Sequence, residues 1–532
     1  MKKIIKITLL LLLSFATKAQ DVATDEIEVV KPYQPILADA VKISFSPTIP
    51  INVIEKPTYT YLIPTKLIAI STPPPDLKPV AFSHKRLSTI VEKNGYAKLG
   101  YGMYNTPYVK LGAHYSPIKE LEIGLVGEYI SSKSARLQNQ QSTRGSGGIF
   151  VNKKLSNELF SLNTNYTTST FHYYGYDNRI ENFDKNEVRQ TSSIIDLKIA
   201  AKSANDASTL QHEAAIGLSS IVTTSKCKEI LMEANASISK VIFKKHTLVF
   251  PFRLKNSSYS DSLKLNNLAF SLGPQLNFVR EKGNLYAGVE VGMVNKKFGI
   301  YPYTKAMQVL IKDKLIFETS WSIDWQHNSY HSMMAKNPWL SDDNQLLTTI
   351  TQNRMLGVKG RFKSFGYELN VLQQVVKNQL VFNNKLNDLK KIAAIYIPST
   401  TILNVGGKLD YTKFEMLQLS WSFYAMQYET DSGAYAWHLP SFETNVTVQY
   451  MLNDKIKLIG ALIGLGSRRT TDGIAIVKLA PVVDMSAECM YKINKNFYAF
   501  VQFNNLLNQR YQIYNKYEIV GFQALGGVKI LF

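Results

Sequence analysis

The sequence predicts an all-β fold: a large antiparallel up-and-down transmembrane β-barrel of about 22 strands (range 18 to 22), preceded by an extended, proline-rich periplasmic segment. Three observations predict it. From about residue 95 onward, short segments alternate apolar and polar residues with a period of two, as strands do when one face meets an apolar medium. The connections between them alternate between short and long. Prolines crowd the stretch before residue 91 and are sparse after it.

Taken in order, residues 1–19 come first. MKKIIKITLLLLLSFATKA joins a basic start (Lys2, Lys3, Lys6) to an apolar run from Ile7 to Phe15 and a small residue, Ala19. This is the composition of a secretory signal peptide cleaved near Ala19/Gln20, too short to serve as a membrane helix. Export sets the context for the charge. Loss of Lys2, Lys3, Lys6 and Lys18 takes 61 basic residues to 57 against 41 acidic, a net charge of +16. In an exported chain that surplus suits an acidic lipid surface better than nucleic acid, which is not expected as a partner. The two cysteines, Cys227 and Cys489, make no disulfide framework; one bridge and two free thiols both remain open.

Residues 21–90 hold ten of the 19 prolines, from Pro32 to Pro79, including the run STPPPDLKP. Proline removes ladder donors and fixes φ, so this segment is expected to be extended, with polyproline character. Residues 91–532 are expected to form the barrel. In LEIGLVGEYI, Leu121, Ile123, Leu125 and Tyr129 share a face opposite Glu122 and Glu128. In LQLSWSFYAM, Leu417, Leu419, Trp421 and Phe423 oppose Gln418, Ser420, Ser422 and Tyr424. In FETNVTVQYM, Phe442, Thr444, Val446, Val448 and Tyr450 oppose Glu443, Asn445, Thr447 and Gln449.

A soluble sandwich also alternates, and the connections decide against it. Short ones (SPIKE, FKKH, REKGN, KDK, LNDK, INKN) take turns with long ones such as SKSARLQNQQSTRGSG, GYDNRIENFDKNEVRQ, HNSYHSMMAKNPWLSDDNQ and NLLNQRYQIYNKYEIVG. Tight turns on the periplasmic side and long loops outside characterise outer-membrane barrels. An even strand count then puts both chain ends in the periplasm, and the outer membrane is the expected location. Closure alone satisfies the backbone of every strand in lipid. Aromatic residues at 11%, mainly 30 Tyr and 25 Phe, suit interfacial girdles.

NNLLNQRY (Asn504 to Tyr511) resembles the N-L-x-N-x-x-Y pattern in the penultimate strand of TonB-dependent outer-membrane receptors, and the terminal strand ending in Phe532 is similar to theirs. TDEIEVV (Thr24 to Val30) resembles their TonB-box strand. The family carries a plug domain of well over a hundred residues between box and barrel, whereas about sixty proline-rich residues lie between Val30 and Gly95 here. The chain therefore resembles plugless relatives of the Bacteroidota type. The resemblance implies that Phe532 and its strand are read by the barrel-assembly machinery.

The chemistry of sites is sparse. There is no G-x-S-x-G, H-E-x-x-H or Cys-x-x-Cys, so an enzyme is not expected, and neither is a cofactor or a metal. His327, His331, Met333 and Met334 could together ligate a soft metal such as copper, although nothing fixes them into one geometry and an ordinary surface loop is the plainer reading. Glu122, Glu128 and Glu443 are expected on a solvated lumen wall. Lys119, Lys244, Lys245, Lys312, Lys314, Lys455, Lys492 and Lys495 mark the short turns, either as a solvated rim or as a docking surface for an acidic partner.

Two functions follow as expectations. One is transport-related passage of solutes across the outer membrane. The other is a non-transporting subunit of an outer-membrane complex for protein assembly, insertion or secretion, docking envelope proteins through residues 21–90. The best anchor on that arm is EIEVVKPYQPIL: Glu26, Ile27, Glu28, Val29 and Val30 can add as a strand to a partner sheet until Pro32 stops the ladder, and Tyr33 offers an apolar contact.

Overall fold

The computed structural model describes residues 94–134, 136–204, 210–261, 264–413, 416–431, 433–471, 473 and 475–532. The expected signal peptide (1–19) and proline-rich arm (21–90), with Glu26, Ile27, Glu28, Val29, Val30 and Tyr33, lie outside the described residues.

From Gly95 on, each strand pairs antiparallel with the next, and the last, Gln523–Leu531, pairs with the first, Gly95–Gly102. The result is a closed barrel of 22 strands, as the sequence predicts. One strand is interrupted: Lys264–Leu272 and Gln275–Arg280 both pair with His246–Ser260 and with Gly283–Val294. The break falls at Gly273 and Pro274, where proline lacks a ladder donor and a Cβ on Gly273 would come within 2.0 Å of the Val289 carbonyl. Closure leaves no edge strand unpaired.

The period of two sorts side chains onto opposite faces. In the last strand Val528 is 41% exposed on the outer face while Leu525 is 7% exposed on the inner one. Ile123, Leu125 and Tyr129 stand on the outside. Glu128 sits opposite Lys110 in the cross-strand register and is ion-paired to it at 3.5 Å on the inner face. The apolar medium outside is thus lipid, and the inner wall is polar.

The connections at the two ends differ as expected. At the end that carries Gly95 and Phe532, strands meet through turns such as 119–120, 156–157, 281–282 and 363–364. At the other end the connections include 173–188, 327–348, 466–481 and 505–522. Part of one predicted long loop, SKSARLQNQQSTRGSG, is instead strand: Gln141–Leu155 begins within it, because its Gly, Ser and Thr residues still alternate in a ladder with Glu158–His172. Phe365–Lys385 and Asp388–Lys413, of 21 and 26 residues, far exceed the roughly 9 to 11 needed to cross a bilayer. Their hairpin therefore rises beyond the membrane at the loop end and forms one wall of the mouth.

Candidate functional site: the loop-closed mouth

The long loops do not stand apart in solvent. They pack together over the mouth of the barrel, around a buried cluster that includes Tyr173, Tyr174, Tyr330, Met333, Leu340, Ile392 and Tyr517. Loop 327–348 supplies its centre. Within it Tyr330–Lys336 form one short helix (α1), with Ser329 at the N-cap accepting from the Ser332 N–H. The next donors, the N–H groups of Tyr330 and His331, each donate to the carboxylate of Glu229 at 2.8 Å. Glu229 is 1% exposed on strand Lys228–Ile242 and also accepts from the Ser257 hydroxyl. A buried carboxylate so placed satisfies helix donors that would otherwise be orphaned.

Beyond α1 the loop is pinned to the tall hairpin. Leu340 forms a parallel bridge with Ile392, the Ser341 N–H donates to the Ile392 carbonyl at 2.7 Å, and Asp342 pairs with Lys391 at 2.8 Å. Trp339 stacks on Tyr517 with centroids 4.1 Å apart and donates its indole N–H to the His172 carbonyl. Tyr174 packs edge-on against both. The Tyr517 hydroxyl donates to the Lys390 carbonyl. Aromatic contacts of this kind add about 0.5–1.5 kcal/mol each beyond area burial.

A second pin lies beside the first. Arg468, at the start of the small hairpin in loop 466–481, donates to the Ile513 and Gln512 carbonyls at 2.8 and 2.7 Å. His438 bridges three segments: its Nδ1 donates to the Phe382 carbonyl at 2.8 Å, its Nε2 accepts from the Asn515 N–H at 3.3 Å, and its own backbone N–H donates to Arg469. Only the neutral imidazole can do both. Burial, with the Arg468 charge nearby, outweighs the Phe382 hydrogen bond and holds His438 down to about 4. An opened loop regains the ordinary value near 6.5, so the open state takes up its proton first as pH falls. Cap stability is then full above about pH 6.5 and falls towards pH 4, by about 3 kcal/mol at the limit. Hydrogen exchange of residues 431–441 and 511–518, corrected for intrinsic rates, should show markedly weaker protection at pH 4.5 than at 7.5 and little pH dependence in His438→Asn. Equal opening free energies at both pH values would refute this.

Below the cap, several charges on the inner wall are paired. Glu318 is ion-paired to both Lys305 and Lys359. Arg253 reaches Glu290 at 2.9 Å and Asp324 at 2.8 Å. Lys255 pairs with Glu233 at 2.6 Å and Lys98 with Glu488 at 3.0 Å. Such a wall suits a hydrated lumen, since charged groups left in a dry interior would carry a large desolvation cost.

Solved structures share this architecture. The FrpB iron transporter from Neisseria meningitidis matches with a TM-score of 0.67 over 83% of this chain and 82% of that one, at 9% identity. The siderophore receptor PirA from Acinetobacter baumannii matches at 0.66 over 84% and 81%, at 11% identity. The ferric enterobactin receptor PfeA from Pseudomonas aeruginosa, in complex with enterobactin, matches at 0.64 over 82% and 81%, also at 11% identity. The chain has the barrel fold of these receptors. No family model matches it, and no curated protein does, so the likeness is one of fold.

On this barrel the predicted residues are dispersed. Phe532 closes the seam: its N–H and carbonyl bond the Gly95 carbonyl and N–H at 3.0 and 2.9 Å, and its ring lies where a Cβ on Gly95 would stand 2.6 Å away. His327, His331, Met333 and Met334 do not converge. His331 Nδ1 meets Ser219 at 3.0 Å, His327 Nδ1 meets Thr348 at 3.3 Å, and both methionines are buried in the apolar cluster. Among the described residues no group of three or more His, Cys, Asp or Glu is placed to hold a metal. Glu122 accepts from Asn152. Cys227 and Cys489 are both free.

The cap residues Glu229, Trp339, His438, Arg468 and Tyr517 were not singled out by sequence reasoning. The available signal was weak: aromatic side chains concentrated in the long loops, where solvent-facing loops would carry fewer. Glu229 had no signal, because it reads as one more polar residue on an alternating strand.

Proposed function

We propose that the chain is a non-enzymatic outer-membrane barrel that passes solutes through a hydrated lumen whose mouth is held closed by packed loops. The observation that carries this reading is the charge-paired inner wall lying beneath the cap of loops 173–188, 327–348 and 505–522, in a fold shared with siderophore receptors and an iron transporter. The short span between Val30 and Gly95 supports a plugless form, in which the inward loops do part of the work of filling the bore. The asymmetry of the connections supports a periplasmic placement of both termini, and the seam position of Phe532 supports its reading by the barrel-assembly machinery. An intact chain that formed large, permanently open channels in planar bilayers would overturn the gated reading.

A second reading is favoured by the proline-rich arm: a subunit of an outer-membrane complex that docks envelope proteins through residues 21–90. Affinity purification of the native full chain, with and without residues 21–40, separates the two. Recovery of an energising TonB protein alone supports uptake. Several envelope proteins that vanish on deletion support the subunit. A partner-free barrel in both samples would refute docking by Glu26, Ile27, Glu28, Val29, Val30 and Tyr33.

A further inference from the structure

The lysines of the barrel differ in their partners. Several of those on the inner wall are ion-paired to carboxylates, as at Lys98, Lys255, Lys305 and Lys359. Those at the tips of the short-turn hairpins form no ion pair. Every hairpin at that end carries at least one exposed Lys or Arg on its turn or within three residues of it. Lys119, Lys154, Lys244, Lys312, Lys455 and Lys495 are exposed and none forms an ion pair. Exposed carboxylates stand at both ends: Glu120, Glu281, Asp313 and Asp454 on the short turns, where exposed Lys and Arg outnumber them, and Glu181, Asp184, Glu187, Asp343 and Asp431 on the opposite loops.

The hairpin cations also stand at a definite height. Beside them large apolar side chains project outward, among them Phe243 at 84% exposure, Phe362 at 57% and Ile493 at 54%. Lys314 and Lys363 both lie over the Phe362 ring, with Nζ 5.7 and 5.8 Å from its centroid. Apolar groups anchored at the edge of the hydrocarbon, with ammonium heads just beyond them, place those heads at headgroup level. The cations ring the whole circumference instead of one sector. A protein partner would occupy a sector, whereas a lipid annulus meets every hairpin alike.

We propose that the short-turn end is a binding surface for anionic glycerophospholipid, in which the unpaired hairpin lysines hold lipid phosphates around the barrel and fix that end in a phospholipid leaflet. This depends on the barrel spanning a membrane and not on solute passage, so the two can fail separately. The uncompensated charge accounts for part of the positive surplus in the sequence, and the attraction should weaken with salt.

The test uses the full chain in nanodiscs of phosphatidylcholine with 30% phosphatidylglycerol, counting co-retained lipids by native mass spectrometry after gentle detergent release. Wild type should retain phosphatidylglycerol roughly five-fold over its share of the bilayer, the ratio expected from one lysine's attraction to an acidic surface. A variant with Lys119, Lys154, Lys244, Lys312, Lys455 and Lys495 changed to Gln should lose most of that enrichment. A control changing the same number of loop-end lysines, Lys133, Lys185 and Lys297 among them, should keep it. Heat-modifiable migration on gels shows that each variant is folded. No enrichment in wild type, equal enrichment in the hairpin variant, or equal loss in the control would overturn the proposal. So would a hairpin variant that keeps its lipid but loses a co-purifying acidic envelope protein.

Discussion

Removing residues 329–346 and joining the strand ends with a short Gly-Ser linker should turn a poorly conducting barrel into an open channel. Loop 327–348 provides α1, the Leu340–Ile392 bridge and Trp339, so its loss takes the centre out of the cap. The strands need not move, because the flanking ladder between Leu315–Gln326 and Thr349–Phe362 is continuous along the barrel wall. A barrel of this size encloses a wide lumen. Single-channel conductance in planar bilayers should rise by about an order of magnitude over the intact chain. The same deletion combined with loss of residues 21–90 distinguishes loop from arm as the filler. If the loop deletion conducts no better than the intact chain and the double deletion does, the arm is the seal and the cap is not.

Glu229→Ala should release the cap without unfolding the barrel. The substitution leaves the Tyr330 and His331 N–H groups and the Ser257 hydroxyl without their acceptor in a site with almost no solvent access. Stranding buried donors costs about 1–3 kcal/mol each, and relaxation of the short helix recovers part of it. A net loss of about 3 kcal/mol corresponds to roughly a hundred-fold fall in amide protection across residues 330–340. The amides of strand Lys228–Ile242 should keep their protection, since its ladders on both sides are intact. Glu229→Gln retains one carbonyl acceptor and should fall between the two. Unchanged protection in the alanine variant would mean that α1 is held by its apolar contacts alone.

The barrel was legible because it rests on local rules. In Gly95–Gly102, Leu121–Lys133 and Gln523–Leu531 the alternation separates an outer face from an inner one whatever the neighbouring strand is, and a short turn after each even strand forces the next to run back beside it. Those two rules reach the strand count, the seam at Gly95 and Phe532, and the side on which Glu128 and Lys529 stand. The one interruption, at Gly273 and Pro274, is also written in residue types.

The mouth was not legible because its partners are far apart in the chain. Tyr330 finds Glu229 at a separation of 101 residues, Tyr514 finds Lys336 at 178 and Tyr174 finds Glu518 at 344. No local period encodes such pairings. The loop HNSYHSMM shows the difference: by composition it suggests a soft-metal site, whereas in the fold its methionines fill an apolar cluster and its helix end rests on a carboxylate from another strand. By itself, then, the sequence determined a charged, alternating chain that closes into a lipid-facing barrel, because strand polarity is a property of neighbouring residues. Only the tertiary structure decided that the loops turn inward and pack over the mouth, because that depends on which distant groups closure brings within hydrogen-bonding reach.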